Sequence, residues 1–440
     1  MKKKRLAAAF LAAALGAAAV FSGCGGAAKS AAVSGSSAGV TASGSSGGAA
    51  GGTPAGNVGS AASGEAVSGV SSSSGQSADS SRTNASKDEA PQIGDLKCES
   101  VMELHHATGF NVFYYEDGYK VIDVASDKVQ YLIVPEGKEA PSGLADSVTV
   151  IQQPLSQIYL AATGAMTFFD KLGEMDAVTM TGTDASGWTI QAAVDALNSG
   201  KMTFAGKYSA PDYEMLVQKN CDLALESGMI MHSPDVKEMI EDLNIPVMID
   251  RSSYESDPLG RSEWVKVYGA LLNREDQAQK LYEEQETKLN ALPENADTGK
   301  TVAFFAVNSD GNISVRKPND VVATMIRLAG GRYVCDDLKT DDSSASTTTD
   351  ISMEEFYSRA VDADYLIYNG TIEQALGSVN DLIAKNELFS QFKAVKDGNV
   401  WQIGKEWYQS TLTGTELATD MNHMLSGQDT DRMSFLSKVG

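Results

Sequence analysis

Hydrophobic positions change period again and again after Gly109. Residues 110–124 (FNVFYYEDGYKVIDV) are two β-rich runs around Glu116-Asp117-Gly118, which predicts a hairpin. Short apolar runs at 131–135 and 148–152 predict two more strands. Residues 155–173 read as helix, 177–182 as strand, 189–200 as helix and 202–206 as strand. Helix, strand, helix and strand follow at 211–220, 221–227, 233–244 and 245–250. Strand and helix alternating at this spacing predict a mostly parallel sheet with helices on both faces. The loops leaving the C-terminal ends of such strands are where ligands bind.

Asp257-Pro258 predicts a helix start, since Pro is tolerated where no N–H is needed. Asn273 reads as the next N-cap. A helix from Arg274 to Leu292 would be about 28 Å long and is the natural connector between two halves. The alternation then restarts with strands at 301–307, 364–370 and 400–404. Between and after them come helical stretches at 321–331, 351–360 and about 378–393, then a terminal helix from about 415. The expected architecture is α/β: two Rossmann-like lobes joined by a long α-helix. The boundaries are 94–273 for the first lobe, 274–293 for the interlobe helix and 294–440 for the second lobe.

The first 93 residues follow different rules. Lys2-Lys3-Lys4-Arg5 and the apolar run Leu6–Val20 form a leader too short for a comfortable membrane span. Phe21-Ser22-Gly23-Cys24 comes next and resembles a bacterial lipobox, although Phe21 stands where Leu is usual. Residues 1–24 are therefore read as a lipoprotein signal with Cys24 as the acylated residue, acyl chains being sufficient for stable anchoring. Residues 25–93 are dominated by Gly, Ser and Ala. They contain no aromatic residue, and Ile93 is their first Leu or Ile. Such a chain cannot offset its conformational entropy by burial, and it reads as a tether with a reach of roughly 45 Å.

Composition narrows the partners. The 440 residues carry 35 Lys and Arg against 58 Asp and Glu, a net charge of −23, which argues against nucleic acid and against a basic membrane-binding face. Cys98, Cys221 and Cys335 are far apart, form no CxxC and read as small buried residues. His105-His106 would point to opposite faces of a strand and so not share a metal ion. His423 reads as a structural residue of the terminal helix. Thr298-Gly299-Lys300-Thr301 ends like a phosphate-binding loop, but Glu294 occupies the position that needs glycine, and the segment precedes a strand instead of following one.

Five segments in order carry a family resemblance: SAPDYEMLVQKNCDLALES (209–227), SSYESDPLGRSEWVKVYGALL (252–272), VVATMIRLAGG (321–331), ISMEEFYSRAVDADYLIYNG (351–370) and FKAVKDGNVWQI (392–403). Over residues 97–425 the chain resembles the substrate-binding proteins of ABC importers, in the class with a helical interlobe backbone that includes siderophore, heme and vitamin B12 binders. The resemblance implies a ligand cleft between the lobes, no cofactor, no catalysis and an ABC permease as partner. It also implies one docking glutamate on each lobe. By motif position these are Glu214 and Glu354, with Glu355 as the alternative to the latter.

Loops expected at the cleft offer Trp188, Tyr208, Tyr254, Trp407 and Tyr408 for stacking, and Arg261 and Arg316 for anionic groups. Met229, Met231 and His232 form a cluster suited either to packing or to an axial contact with heme iron. The implied cargo is an iron chelate, a ferric siderophore before heme or cobalamin, delivered from the extracytoplasmic face of the membrane. A surface adhesin, or a chelatase-like enzyme on the same fold, is the alternative.

Overall fold

The computed structural model describes residues 84–440 except 125, 294–296, 341–345 and 372–373. Cys24 and its leader lie outside the described residues.

The described chain opens with a sheet of its own. Strands β1 (Cys98–Val101), β2 (Asn111–Tyr115), β3 (Lys120–Val124), β4 (Val129–Val134) and β5 (Val148–Gln152) lie side by side in sequence order. Neighbours are antiparallel except the parallel pair β4–β5. The expected hairpin is there, with Asp117 at φ 62° in its turn. One face of this sheet buries Phe113, Tyr115, Val121, Leu132 and Val134 beneath Ile93 and Leu96. The other face sends Val112, Ile122, Tyr131 and Ile133 into the main core. Side chains alternating across a strand make this two-sided burial possible.

The first lobe holds five parallel strands in the order β12-β11-β6-β7-β8. These are β6 (Ile158–Leu160), β7 (Val178–Thr181), β8 (Thr203–Phe204), β11 (Leu223–Ser227) and β12 (Val247–Asp250). A small ribbon, β9 (Gly206–Lys207) with β10 (Ala210–Pro211), follows β8. Helices α1 (Met166–Leu172), α2 (Gln191–Asn198), α3 (Tyr213–Gln218) and α4 (Pro234–Asp242) intervene. The helix expected over 155–173 is therefore wrong at its start. Residues 158–160 pair between β11 and β7, because a short fully apolar run carries no period and only partners decide its conformation.

Helices α5 (Pro258–Glu263), α6 (Val265–Leu272) and α7 (Glu275–Asn290) lead to the second lobe. Asn273 closes α6 in the left-handed conformation, φ 56°, instead of capping α7. Asn accepts that backbone at lower cost than most residues. Its carboxamide oxygen also takes the Lys120 ammonium at 2.6 Å.

The second lobe orders its sheet β16-β14-β13-β17-β18-β19, with β15 also on β13. Its strands are β13 (Thr301–Val307), β14 (Ile313–Arg316), β15 (Arg332–Tyr333), β16 (Thr348–Ile351), β17 (Tyr365–Asn369), β18 (Val400–Ile403) and β19 (Leu436–Lys438). Helices α8 (Val321–Leu328), α9 (Met353–Ala360), α10 (Val379–Lys385), α11 (Lys393–Lys396) and α12 (Glu416–Ser426) complete it. Asp320 and Ser352 cap α8 and α9. Phe305, Phe356, Phe389 and Phe392 stack into one aromatic core. The antiparallel strands β14, β16 and β19 had no counterpart in the expected pattern. The 378–393 stretch is a short helix followed by a 3₁₀ turn, Glu387–Gln391. Among the described residues no helix is long and apolar enough to cross a membrane.

Candidate functional site

A cavity of about 300 Å³ opens between the lobes, and its walls come from strand ends. The turn after β6 contributes Thr163 and Gly164, and the turn after β11 contributes Ser227, Gly228 and Met229. The segment after β12 supplies Ser252, Tyr254 and Arg261. From the second lobe come Met325, Trp407, Tyr408 and Thr411. A second hollow of about 240 Å³ shares Tyr254 and Arg261 with the first and continues past Lys317, Asn319, Asp320 and Thr347. The cleft thus has an apolar, aromatic compartment next to a polar one.

Each aromatic is placed by its neighbours. The Trp407 indole donates to the Gly414 carbonyl at 3.3 Å and meets the Tyr408 ring edge-on. Trp407 is almost wholly buried, whereas Tyr408 and Tyr254 stand 45% and 44% exposed, open to a ligand. Arg251 lies over the Tyr254 ring, 4.9 Å from its centroid, and makes a two-bond pair with Asp127. Asp250 accepts from the Ser252 and Tyr268 hydroxyls at 2.7 and 2.9 Å. Burial pushes its carboxyl above the usual range, and those hydroxyls offset part of the rise.

The cations are clustered. Arg261 donates from Nε to the Glu255 carbonyl at 2.9 Å and from its terminal nitrogen to the Ser253 carbonyl at 2.5 Å. Arg316 is nearly buried. It donates to the Tyr408 hydroxyl at 3.3 Å and to Thr347 Oγ1 at 3.2 Å, with Asp320 at 3.8 Å. Asp320 and Tyr408 hold Arg316 above the ordinary guanidinium value, against the effect of burial. Arg261 is pushed down to about 10, by burial first, with Arg316 repelling it further. Two guanidinium groups in a low-dielectric cleft, shared with the carboxylates of Asp320 and Glu255, can receive an anionic guest.

Five of the expected ligand residues meet here: Met229, Tyr254, Arg261, Trp407 and Tyr408. Arg316 stands directly behind Tyr408. Four others do not line the cleft. Trp188 is in the core, with its indole on the Thr183 carbonyl at 3.0 Å. Its neighbours Gly187 and Thr189 clasp Gln409 of the second lobe. Tyr208 sits in the turn of the β9–β10 ribbon, and Met231 and His232 are exposed at the far end of the 3₁₀ turn Gly228–His232. Thr163 and Gly164 were missed because they fell inside the mis-assigned helix. Gly164 needs to be glycine, since a Cβ there would lie 2.7 Å from Thr411 Oγ1.

Glu214 and Glu354 are exposed in the first turns of α3 and α9, where the helix dipole favours a carboxylate. Glu355 is tied to Arg359 at 3.1 Å. His105 and His106 lie in a bend, not a strand, so their rings do not diverge: both approach Glu286 Oε1, at 3.4 and 4.0 Å. Among the described residues no three His, Cys, Asp or Glu side chains are arranged to hold a metal ion. Cys221 and Cys335 are buried thiols, pushed up to about 12 and about 11 by desolvation.

Known proteins resemble this chain in sequence or in fold. An uncharacterized lipoprotein of Methanocaldococcus jannaschii is 24% identical over 340 residues, covering 71% of this chain and 79% of that one. The crystal structure of the petrobactin-binding protein YclQ of Bacillus subtilis matches 61% of this chain and 92% of its own, at 16% identity and a TM-score of 0.50. The sequence pattern of periplasmic binding proteins matches residues 162–406, from the turn after β6 to the residue before Trp407. That span reaches into both lobes and takes in the first-lobe wall of the cleft together with Met325, while Trp407, Tyr408 and Thr411 lie just beyond it, and the chain belongs to the periplasmic binding protein family.

Proposed function

We propose that this protein is the lipid-anchored, extracytoplasmic substrate-binding component of an ABC importer. It captures an anionic iron chelate, a ferric siderophore before heme or cobalamin, and hands it to a permease without catalysing a reaction. The observation that carries this reading is the pairing of an aromatic wall with two clustered guanidinium groups, Arg261 half-buried and Arg316 buried. Tyr254 and Tyr408 offer exposed stacking surface, with Met229 beside them and Trp407 backing Tyr408. Arg261 and Arg316 supply positive charge inside a protein of net charge −23. The petrobactin-binding relative shares the fold, while the ligand class here rests on the cleft itself.

Cys24 supplies the membrane anchor and the Gly/Ser/Ala-rich stretch after it the spacing, which ends before residue 93 because Asn84 accepts from the Leu104 amide and Ile93 packs on the N-terminal sheet. Glu214 and Glu354 pair with permease arginines by charge-assisted hydrogen bonds. Glu354 is favoured over Glu355 because Glu355 is already engaged by Arg359.

Tryptophan-fluorescence titration of the full chain carrying Cys24→Ser tests the ligand class, because Trp407 lines the cleft. The titrants are ferric catecholate and hydroxamate siderophores, hemin and cobalamin. Saturable quenching by one class, weakened in Arg261→Ala, is the expected result. Silence across all four would place the ligand outside the iron and corrin chelates.

A further inference from the structure

The segment just ahead of β2 makes an unusual set of bonds. Five consecutive backbone amides, residues 105 to 109, all donate to carboxylates of the segment that carries Arg261. His105, His106 and Ala107 donate to Glu263 at 2.8 Å each. Thr108 and Gly109 donate to Glu255 at 2.9 and 2.7 Å, and the Thr108 hydroxyl adds a third bond at 2.9 Å. The His106 ring meets a third carboxylate, Asp257, at 2.9 Å, while the other oxygen of Asp257 caps α5. Every carboxylate between 255 and 263 is thus held by this strap.

Arg261 is in the middle of that segment and takes no part in the strap. Its Nε donates instead to the backbone carbonyl of Glu255, the residue whose side chain the strap grips. The Glu255 carboxylate also accepts from the Trp264 indole at 3.1 Å. Residue 255 is therefore fixed through its side chain and presents its carbonyl to the guanidinium. The fit is close: a Cβ on Gly109 would stand 3.0 Å from Glu255 Oε1 and 3.2 Å from the Trp264 ring. The strap lies outside the region matched by the family pattern, which begins at residue 162.

We propose that Glu255, gripped by the 105–109 strap, is a positioning residue for Arg261, so that the N-terminal sheet is part of the ligand-binding machinery. A guanidinium pinned before the ligand arrives loses less entropy on binding. This rests on Arg261 being a ligand contact, and the test keeps the two ideas apart.

The first measurement needs no ligand: the solvent-exchange rate of the Arg261 Nε–H by ¹H–¹⁵N NMR on the full chain carrying Cys24→Ser, the signal being assigned by its loss in Arg261→Lys. Glu255→Gln removes the charge and turns one acceptor into a donor, which faces the Gly109 amide and the Trp264 indole at Oε1 or the Thr108 amide at Oε2. Gly109→Ala pushes the carboxylate aside. Both are expected to speed exchange about tenfold, the loss of one charge-assisted hydrogen bond. Val134→Ala, in the outer core of the same sheet, controls for general loosening and is expected to lower stability with exchange unchanged. Unchanged exchange in Glu255→Gln and Gly109→Ala, or equal acceleration in Val134→Ala, would overturn the proposal.

The second measurement titrates a ferric catecholate into wild type, Glu255→Gln, Arg261→Ala and the double variant. Coupled, non-additive losses in affinity are expected, and additive losses count against the proposal. If wild type takes up no catecholate, the ligand reading fails while the exchange rates still decide the role of Glu255.

Discussion

Glu226 offers the sharpest quantitative test of the fold. It is on β11, fully buried, and neither of its carboxylate oxygens has a hydrogen-bond partner among the described residues. Desolvation pushes its carboxyl up to about 8 from an ordinary 4.5. A folded-state value above the unfolded one means that the native state binds the proton more tightly. Stability is then greatest below about pH 4.5 and falls as pH rises towards 8, where the loss levels off. At about 1.4 kcal/mol per unit, the loss is roughly 3 kcal/mol by pH 7 and about 5 at completion.

Glu226→Gln keeps the shape and removes the titration. Urea unfolding of both proteins from pH 4 to 9 should give free energies whose difference grows across that window in favour of the variant. The slope against pH matters more than the offset, because the carboxamide keeps its own cost of burial. Parallel curves between pH 4.5 and 8 would refute the reasoning and mean that Glu226 is solvated or paired in solution.

Other expectations concern the site and its support. Arg261→Ala should weaken chelate binding at least about tenfold, the loss of a charged hydrogen bond, measured by the fluorescence titration. Glu214→Arg and Glu354→Arg should leave binding unchanged and abolish uptake in cells, whereas Glu355→Ala should leave uptake near wild type. Phe305→Ala, which empties the centre of the second lobe's aromatic cluster, should cost about 3–5 kcal/mol in urea unfolding. Iodoacetamide at pH 8 should label Cys98 in the native protein and spare Cys221 and Cys335 until denaturant is added, as mass spectrometry would show.

Much of the second lobe was legible as pattern. Runs such as TVAFFAV and DYLIYNG announce buried strands, and the helices at 321–331 and 351–360 are announced by their apolar spacing, because both signals are local. What failed had non-local causes. Ile158–Leu160 became a strand because β7 and β11 flank it, and Asn273 became a C-cap because the chain folds back there to pack α7 on α6, Ala278 against Gly269. The His105-His106 bend exists because the amides of Glu263's strap pull the chain around a buried carboxylate 156 to 158 residues away in sequence. No spacing rule reaches that far.

The sequence by itself determined the two-lobed α/β class, the family, the exposed glutamates at two helix starts, and which loops carry aromatic and cationic side chains. All of these depend on contacts within a turn or two, or on patterns repeated along one strand. Only the tertiary structure decided which of those side chains share a cavity. It sent Trp188 into the core, brought Thr163 and Gly164 to the cleft, and set Arg261 beside Arg316. Loop residues face whatever the packing of distant strands leaves open, and that depends on the whole core at once.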